Sequence, residues 1–197
     1  MVGTQFAPGI TFMNRVECGL PATVFQNDGV RRRPALRLPV NTLTWHYVGS
    51  PSPVFTKDIP AVIQAMQSLQ ANAVAEGKSN EYNYVIFALD DGTAVIAEYA
   101  GSFLAAHCKG SNGKSIGCLF YLGATAVNAQ GQPLGFQPMP DPMVPAYRFL
   151  RDRILRPFGV CTPDVVERFH KEMPRASTPC PGESVTGRRE EFLVPHA

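Results

Sequence analysis

Tyr82-Asn83-Tyr84-Val85-Ile86-Phe87-Ala88-Leu89-Asp90-Asp91-Gly92-Thr93-Ala94-Val95-Ile96-Ala97-Glu98 reads as two β-rich runs on either side of an Asp-Gly turn. Asp-Gly is favoured in tight hairpins, where the central residues must adopt positive φ. The β-branched and aromatic side chains of both arms suit a pleated, half-buried surface. A strand period of two puts Tyr82 and Tyr84 on one face.

Working outward from this hairpin, Leu43-Thr44-Trp45-His46-Tyr47-Val48-Gly49 is a short aromatic and β-branched run closed by Gly and Pro, which predicts a buried strand with His46 near its end. Pro51 and Pro53 then force a loop. From Asp58 to Glu76, Ile59, Val62, Ile63, Met66, Leu69 and Ala73 recur at helical spacing, and Gly77 ends the run. Downstream, Ser115 to Leu122 predicts another buried strand. Residues 124–142 form a long Pro/Gly/Gln connection, and Pro142 to Ile154 a second helix. Thr162-Pro163-Asp164 carries a cap, a proline at the first position and an early acid, which predicts a third helix that delivers His170 at its end. Residues 1–40 show little periodicity and are read as an irregular N-terminal arm packed on the domain, with a short strand near Ala35–Leu38. This order predicts one α/β domain with a central mixed β-sheet flanked by helices.

Composition bounds the function. The chain has 197 residues, 45% hydrophobic and 17% charged, enough for one sizeable core. A net charge of +2 with no dense basic face argues against nucleic acid as a partner. The run Arg31-Arg32-Arg33 is read as a solvated loop. Five cysteines, Cys18, Cys108, Cys118, Cys161 and Cys180, are odd in number and irregularly spaced, unlike a disulfide scaffold. The start, Met1 to Pro8, lacks the charged and apolar regions of a signal peptide, and no apolar run approaches a membrane span. A substrate outside the cytoplasm would then be reached by another route.

The chemistry concentrates in His170-Lys171-Glu172-Met173-Pro174-Arg175-Ala176-Ser177-Thr178-Pro179-Cys180-Pro181-Gly182. Imidazole and thiolate are ligands that zinc prefers, and the prolines hold the segment out of a helix. His46 offers a third ligand. Two histidines and a cysteine leave one tetrahedral position open, the pattern of a catalytic metal. The spacing alone also admits ordinary structural histidines. A cysteine hydrolase using Cys108 or Cys180 is a weaker alternative, because neither cysteine opens a helix and Pro181-Gly182 follows Cys180 directly.

Ala106-His107-Cys108-Lys109-Gly110-Ser111-Asn112-Gly113-Lys114-Ser115-Ile116-Gly117 resembles the His-x-x-Gly-x-Asn-x-x-Ser-Ile-Gly segment of zinc-dependent N-acetylmuramoyl-L-alanine amidases. This is the type-2 amidase and peptidoglycan-recognition-protein family, and phage endolysin amidase domains are the members most like this chain. Trp45-His46-Tyr47, Tyr84 through Thr93, and His170 with Cys180-Pro181-Gly182 resemble further family segments in family order. The resemblance implies an amidase catalytic domain over 41–197, with Zn2+ on His46, His170 and Cys180. It implies Tyr84 as catalytic tyrosine, with Tyr82 as a rival, and Thr178 as an oxyanion partner. His107 and Asn112 would line the groove and contact sugar or stem peptide. It further implies a monomer without membrane insertion that hydrolyses the amide between N-acetylmuramic acid and L-alanine in peptidoglycan, released to the wall through a holin-type route. The alternative is a recognition domain that binds without cutting. The strand Cys118-Leu119-Phe120-Tyr121 has no acid where cytosolic recycling members carry a glutamate.

Overall fold

The computed structural model describes residues 3–26, 31–78 and 80–196, so residues 1, 2 and 27–30 of the expected arm lie outside the described residues. Among the described residues the apolar runs become seven strands: β1 (Thr4–Ala7), β2 (Ile10–Met13), β3 (Val40–Tyr47), β4 (Tyr84–Ala88), β5 (Ala94–Glu98), β6 (Ser115–Phe120) and β7 (Cys161–Phe169). They form one mixed sheet in the order β1-β2-β5-β4-β6-β3-β7. The β1/β2 and β4/β5 pairs are antiparallel and the other neighbours run parallel.

The hairpin forms where the sequence placed it. Val85 pairs with Ala97 and Phe87 with Val95. Gly92 takes φ 81°, and the Asp91 carboxylate accepts the Thr93 N–H at 2.9 Å, which closes the turn. The helix α1 (Ile59–Ala75) also matches its expected span, with the Asp58 side chain capping the Ala61 N–H at 3.0 Å. Such a cap contributes about 1 kcal/mol. The chain from Met143 to Leu155 is helical as expected, α-helical in α2 (Met143–Phe149) and wound as a π-helix from Leu150 to Leu155.

Two layers of core follow from strand alternation. On one face, Val85, Phe87, Val95 and Leu119 pack against Val62 and Met66 of α1. On the other, Trp45, Ile86, Ile96 and Phe120 pack against Tyr147 and Leu150. Two short helices, α3 (Glu183–Thr186) and α4 (Arg189–Leu193), complete that side, where the Phe192 ring lies 4.9 Å from Trp45.

Three expectations need correction. The segment opened by Thr162-Pro163-Asp164 is the strand β7, not a helix. Val165, Glu167 and Phe169 are buried at period two while Val166 and Arg168 are exposed, which is a strand's alternation. Pro163 is tolerated because β7 is an edge strand whose register with β3 jumps from Val40↔Cys161 to Thr42↔Val166. The N-terminal residues are not simply an irregular arm, since β1 and β2 extend the sheet beside β5. A Pro8-Gly9 turn between two β-rich tetrads, with Gly9 at φ 74°, was the available signal. Near Ala35–Leu38 only an isolated bridge forms, from Ala35 to Phe103.

Candidate metal centre

The parallel register of β3 and β7 ends on Trp45↔Phe169. Consecutive residues of a strand point to opposite faces, so His46 turns away from the Trp45 layer. His170 is the first residue beyond β7 and opens a single 3-10 turn. The two imidazoles therefore meet at the strand ends, with ring centroids 4.5 Å apart. Cys180 is returned to the same place by the loop after His170. That loop is closed by the Lys171 N–H on the Cys180 carbonyl at 2.9 Å. Gly182, at φ 80°, permits the turn that follows. A Cβ there would lie 2.5 Å from the Phe136 ring. Phe136 in turn packs edge-on against Tyr47 at 5.6 Å, so the 124–142 connection braces the Cys180 turn.

One ligand atom each from His46, His170 and Cys180 lies within 4.8 Å of the others. His46 Nδ1 is 3.7 Å from Cys180 Sγ. A tetrahedral zinc with bonds of about 2.05 Å to nitrogen and 2.3 Å to sulfur sets such a pair about 3.6 Å apart. The donor set, the separation and the half-buried position of His170 beside two buried partners all fit zinc.

Electrostatics support the same reading. Burial, then the neighbouring His107 and His170, hold the His46 pKa well below its ordinary value. Burial also lowers His170, so both imidazoles are neutral lone-pair donors at neutral pH. Burial pushes the Cys180 thiol up to about 12, opposed by a hydrogen bond from the Tyr47 backbone N–H. A cation at the centre reverses that balance and favours the thiolate.

The remaining predicted residues are distributed unevenly. Thr178 is brought in, since its Oγ1 accepts the Cys180 N–H at 3.1 Å and keeps its own hydrogen free to donate. Tyr82 is brought in as well, its ring 5.1 Å from that of His46. Tyr84 is not. It lies in the opposite core layer with Trp45 and Cys118. The expected common face fails because Tyr82 precedes β4 and Asn83 breaks the alternation. The Asn83 side chain accepts the Gly117 N–H at 2.8 Å and donates to the Gly101 carbonyl at 2.7 Å. Asn83 was not singled out from the sequence, and a polar residue between two tyrosines at a strand entrance was its only trace.

His107 is buried beside His46, with Nδ1 3.2 Å from His46 Nε2 and Nε2 3.3 Å from the Ser115 carbonyl oxygen. Asn112 commits its side-chain oxygen to the Cys108 N–H at 2.6 Å and shapes the loop. All five cysteines are buried and free of disulfides. No described helix is long and apolar enough to cross a membrane.

No family model matches the sequence, and no curated protein matches it either. Solved structures do match. Drosophila PGRP-LB aligns with a TM-score of 0.70 at 19% identity, over 95% of this chain and 95% of that one. Bumblebee PGRP-SA aligns with a TM-score of 0.71 at 17% identity, over 92% and 95%. Human PGRP-IBETAC, solved in complex with glycosamyl muramyl pentapeptide, aligns with a TM-score of 0.65 at 18% identity, over 90% and 92%. A mixed seven-stranded sheet aligned over nearly the whole length of these structures gives the chain the fold of the peptidoglycan recognition proteins.

Proposed function

We propose that this protein is a zinc-dependent amidase that cleaves the bond between N-acetylmuramic acid and L-alanine in peptidoglycan, acting as a phage endolysin. One observation carries the reading: His46, His170 and Cys180 converge within 4.8 Å on this fold. The muropeptide complexes among the similar structures support the substrate class.

His46, His170 and Cys180 would hold the metal. When bound, zinc supplies Lewis acidity toward a carbonyl and eases deprotonation of water. The chain's own groups then do the positioning. The Thr178 hydroxyl has its oxygen occupied by the Cys180 N–H, so its hydrogen is the part offered to a carbonyl oxygen gaining negative charge. Burial, followed by Glu81 and Cys180, raises the Tyr82 pKa well above its ordinary value, so its hydroxyl stays protonated and acts as a hydrogen-bond donor. Neither group is a cation, and oxyanion stabilisation here rests on neutral donors beside the metal.

The test is Cys180→Ser, assayed for bound zinc and for stem-peptide release from purified cell wall by mass spectrometry. The expected result is loss of both in a folded protein. Full release without metal would overturn the zinc reading. Tight muropeptide binding by the wild type with no cleavage of any wall would return the protein to a recognition role.

A further inference from the structure

We infer that His107 is a positioning residue, which fixes the tautomer of His46 and so aims the His46 Nδ1 lone pair at the metal position. Its consequence for zinc rests on the metal reading above, whereas its geometry does not.

The direction of the hydrogen bonds is set from the far end of the chain of contacts. Ser115 Oγ donates its only hydrogen to the Ser111 carbonyl at 2.8 Å. The side of that oxygen turned to His107 Nε2, at 3.1 Å, is therefore a lone pair. The Ser115 carbonyl oxygen, 3.3 Å from the same nitrogen, can only accept. Both neighbours of His107 Nε2 are acceptors, so Nε2 carries the ring hydrogen. In a neutral imidazole that leaves Nδ1 bare. His107 Nδ1 then accepts across 3.2 Å, and the hydrogen of His46 sits on Nε2. What remains on His46 is the Nδ1 lone pair, on the atom 3.7 Å from Cys180 Sγ.

The fold makes room for this arrangement. Gly117 of β6 pairs with Thr44 of β3, two residues before His46. A Cβ at Gly117 would stand 2.6 Å from His107 Cγ. The ring occupies the space where any other residue would place its side chain, and it meets His46 edge-on at 89°. Partners that orient a metal-binding imidazole through its other nitrogen typically contribute roughly 10- to 100-fold in metal affinity.

Two measurements test the inference. The first is nitrogen-15 NMR of the histidine rings in metal-free wild-type protein at neutral pH. Both His46 and His107 are expected with hydrogen on Nε2. A His46 protonated on Nδ1 would overturn the inference whatever the metal does. The second is the zinc Kd by chelator competition, with thermal unfolding as the check on folding. His107→Phe is expected to weaken zinc by about 10- to 100-fold. His107→Gln should recover most of that loss, because its carbonyl can accept from His46 while its amide donates to Ser115. Unchanged affinity in a folded His107→Phe protein overturns the inference and leaves the metal reading standing. A wild type that binds no zinc overturns the metal reading and this role with it. Should His107→Phe fail to fold, the wild-type spectrum and the glutamine variant decide.

Discussion

On the Trp45 face of the sheet, Arg151 is buried with all its donors matched. Its guanidinium bonds Asp152 at 2.7 and 2.6 Å, Glu167 at 2.9 Å, and the carbonyls of Phe192 and Val194 at 2.6 and 2.9 Å. Glu167 accepts the Tyr147 hydroxyl with its second oxygen at 2.6 Å. On the opposite face, at the ends of the same strands β3 and β7, His46, His170 and Cys180 bring one ligand atom each within 4.8 Å of the others. The first cluster is closed: Arg156 joins Arg151 on Asp152 at 2.6 Å, so two arginines face two carboxylates, and every fork of the guanidinium is used. The second is supported from behind by His107 and Ser115, while its three ligand atoms gather at one point. Buried polar groups that complete one another hold a fold, whereas two imidazoles and a thiol converging on one point form a donor set of the kind a metal takes.

Breaking the closed cluster should therefore have the largest effect on stability. Glu167→Ala leaves Arg151 with one buried carboxylate fewer and the Tyr147 hydroxyl without its acceptor. Removal of one partner from such a pair costs about 3–5 kcal/mol. Chemical denaturation should show that loss, while the zinc Kd of the folded variant stays within about threefold of the wild type, because the two clusters share no partners. A large change in zinc affinity with little loss of stability would invert the comparison.

The two clusters differed in how far they could be read from the sequence. His46, His170 and Cys180 were legible through the family resemblance carried by His107–Gly117 and the Cys-Pro-Gly turn, since their spacing alone also admitted ordinary structural histidines. The hairpin, α1 and β6 were legible from local pattern alone. The Arg151 network was not, because nothing local to Leu150-Arg151-Asp152 says that Glu167 will face it from a strand. β7 itself was hidden by Thr162-Pro163-Asp164, a good helix start whose propensity is overridden by pairing with β3. His107 was visible as a motif residue, but its role depends on Gly117 leaving room in another element. Tyr82 and Tyr84 were confused because alternation was extended one residue beyond the strand that enforces it.

That confusion gives the next test, of intermediate size. Tyr82→Phe removes a hydroxyl on the metal face, and turnover on purified wall should fall about a hundredfold, as for loss of one oxyanion donor. Tyr84→Phe alters the Trp45 layer, so its effect should appear in stability while turnover stays within about threefold, since it removes no donor on the metal face. Equal losses of turnover in both would mean that the two faces are not functionally separate.

The smallest expected effect is the acid response of the closed cluster. Burial alone would raise Asp152, but hydrogen bonds from Arg151 and from the His196 N–H outweigh it and hold the carboxyl below its usual 3.8. The folded state thus binds this proton less tightly than the unfolded state. The stabilisation is fully present above about pH 3.8 and is lost as pH falls through the lower folded value. Because Asp152 is partly solvated, screening keeps the contribution below about 1 kcal/mol. Denaturation midpoints of metal-free wild type and Asp152→Asn should therefore differ slightly above pH 4 and converge below it. A difference that persists undiminished toward pH 2 would mean that Asp152 acts through packing and not through its charge, and the first cluster would owe less to closure than its geometry implies.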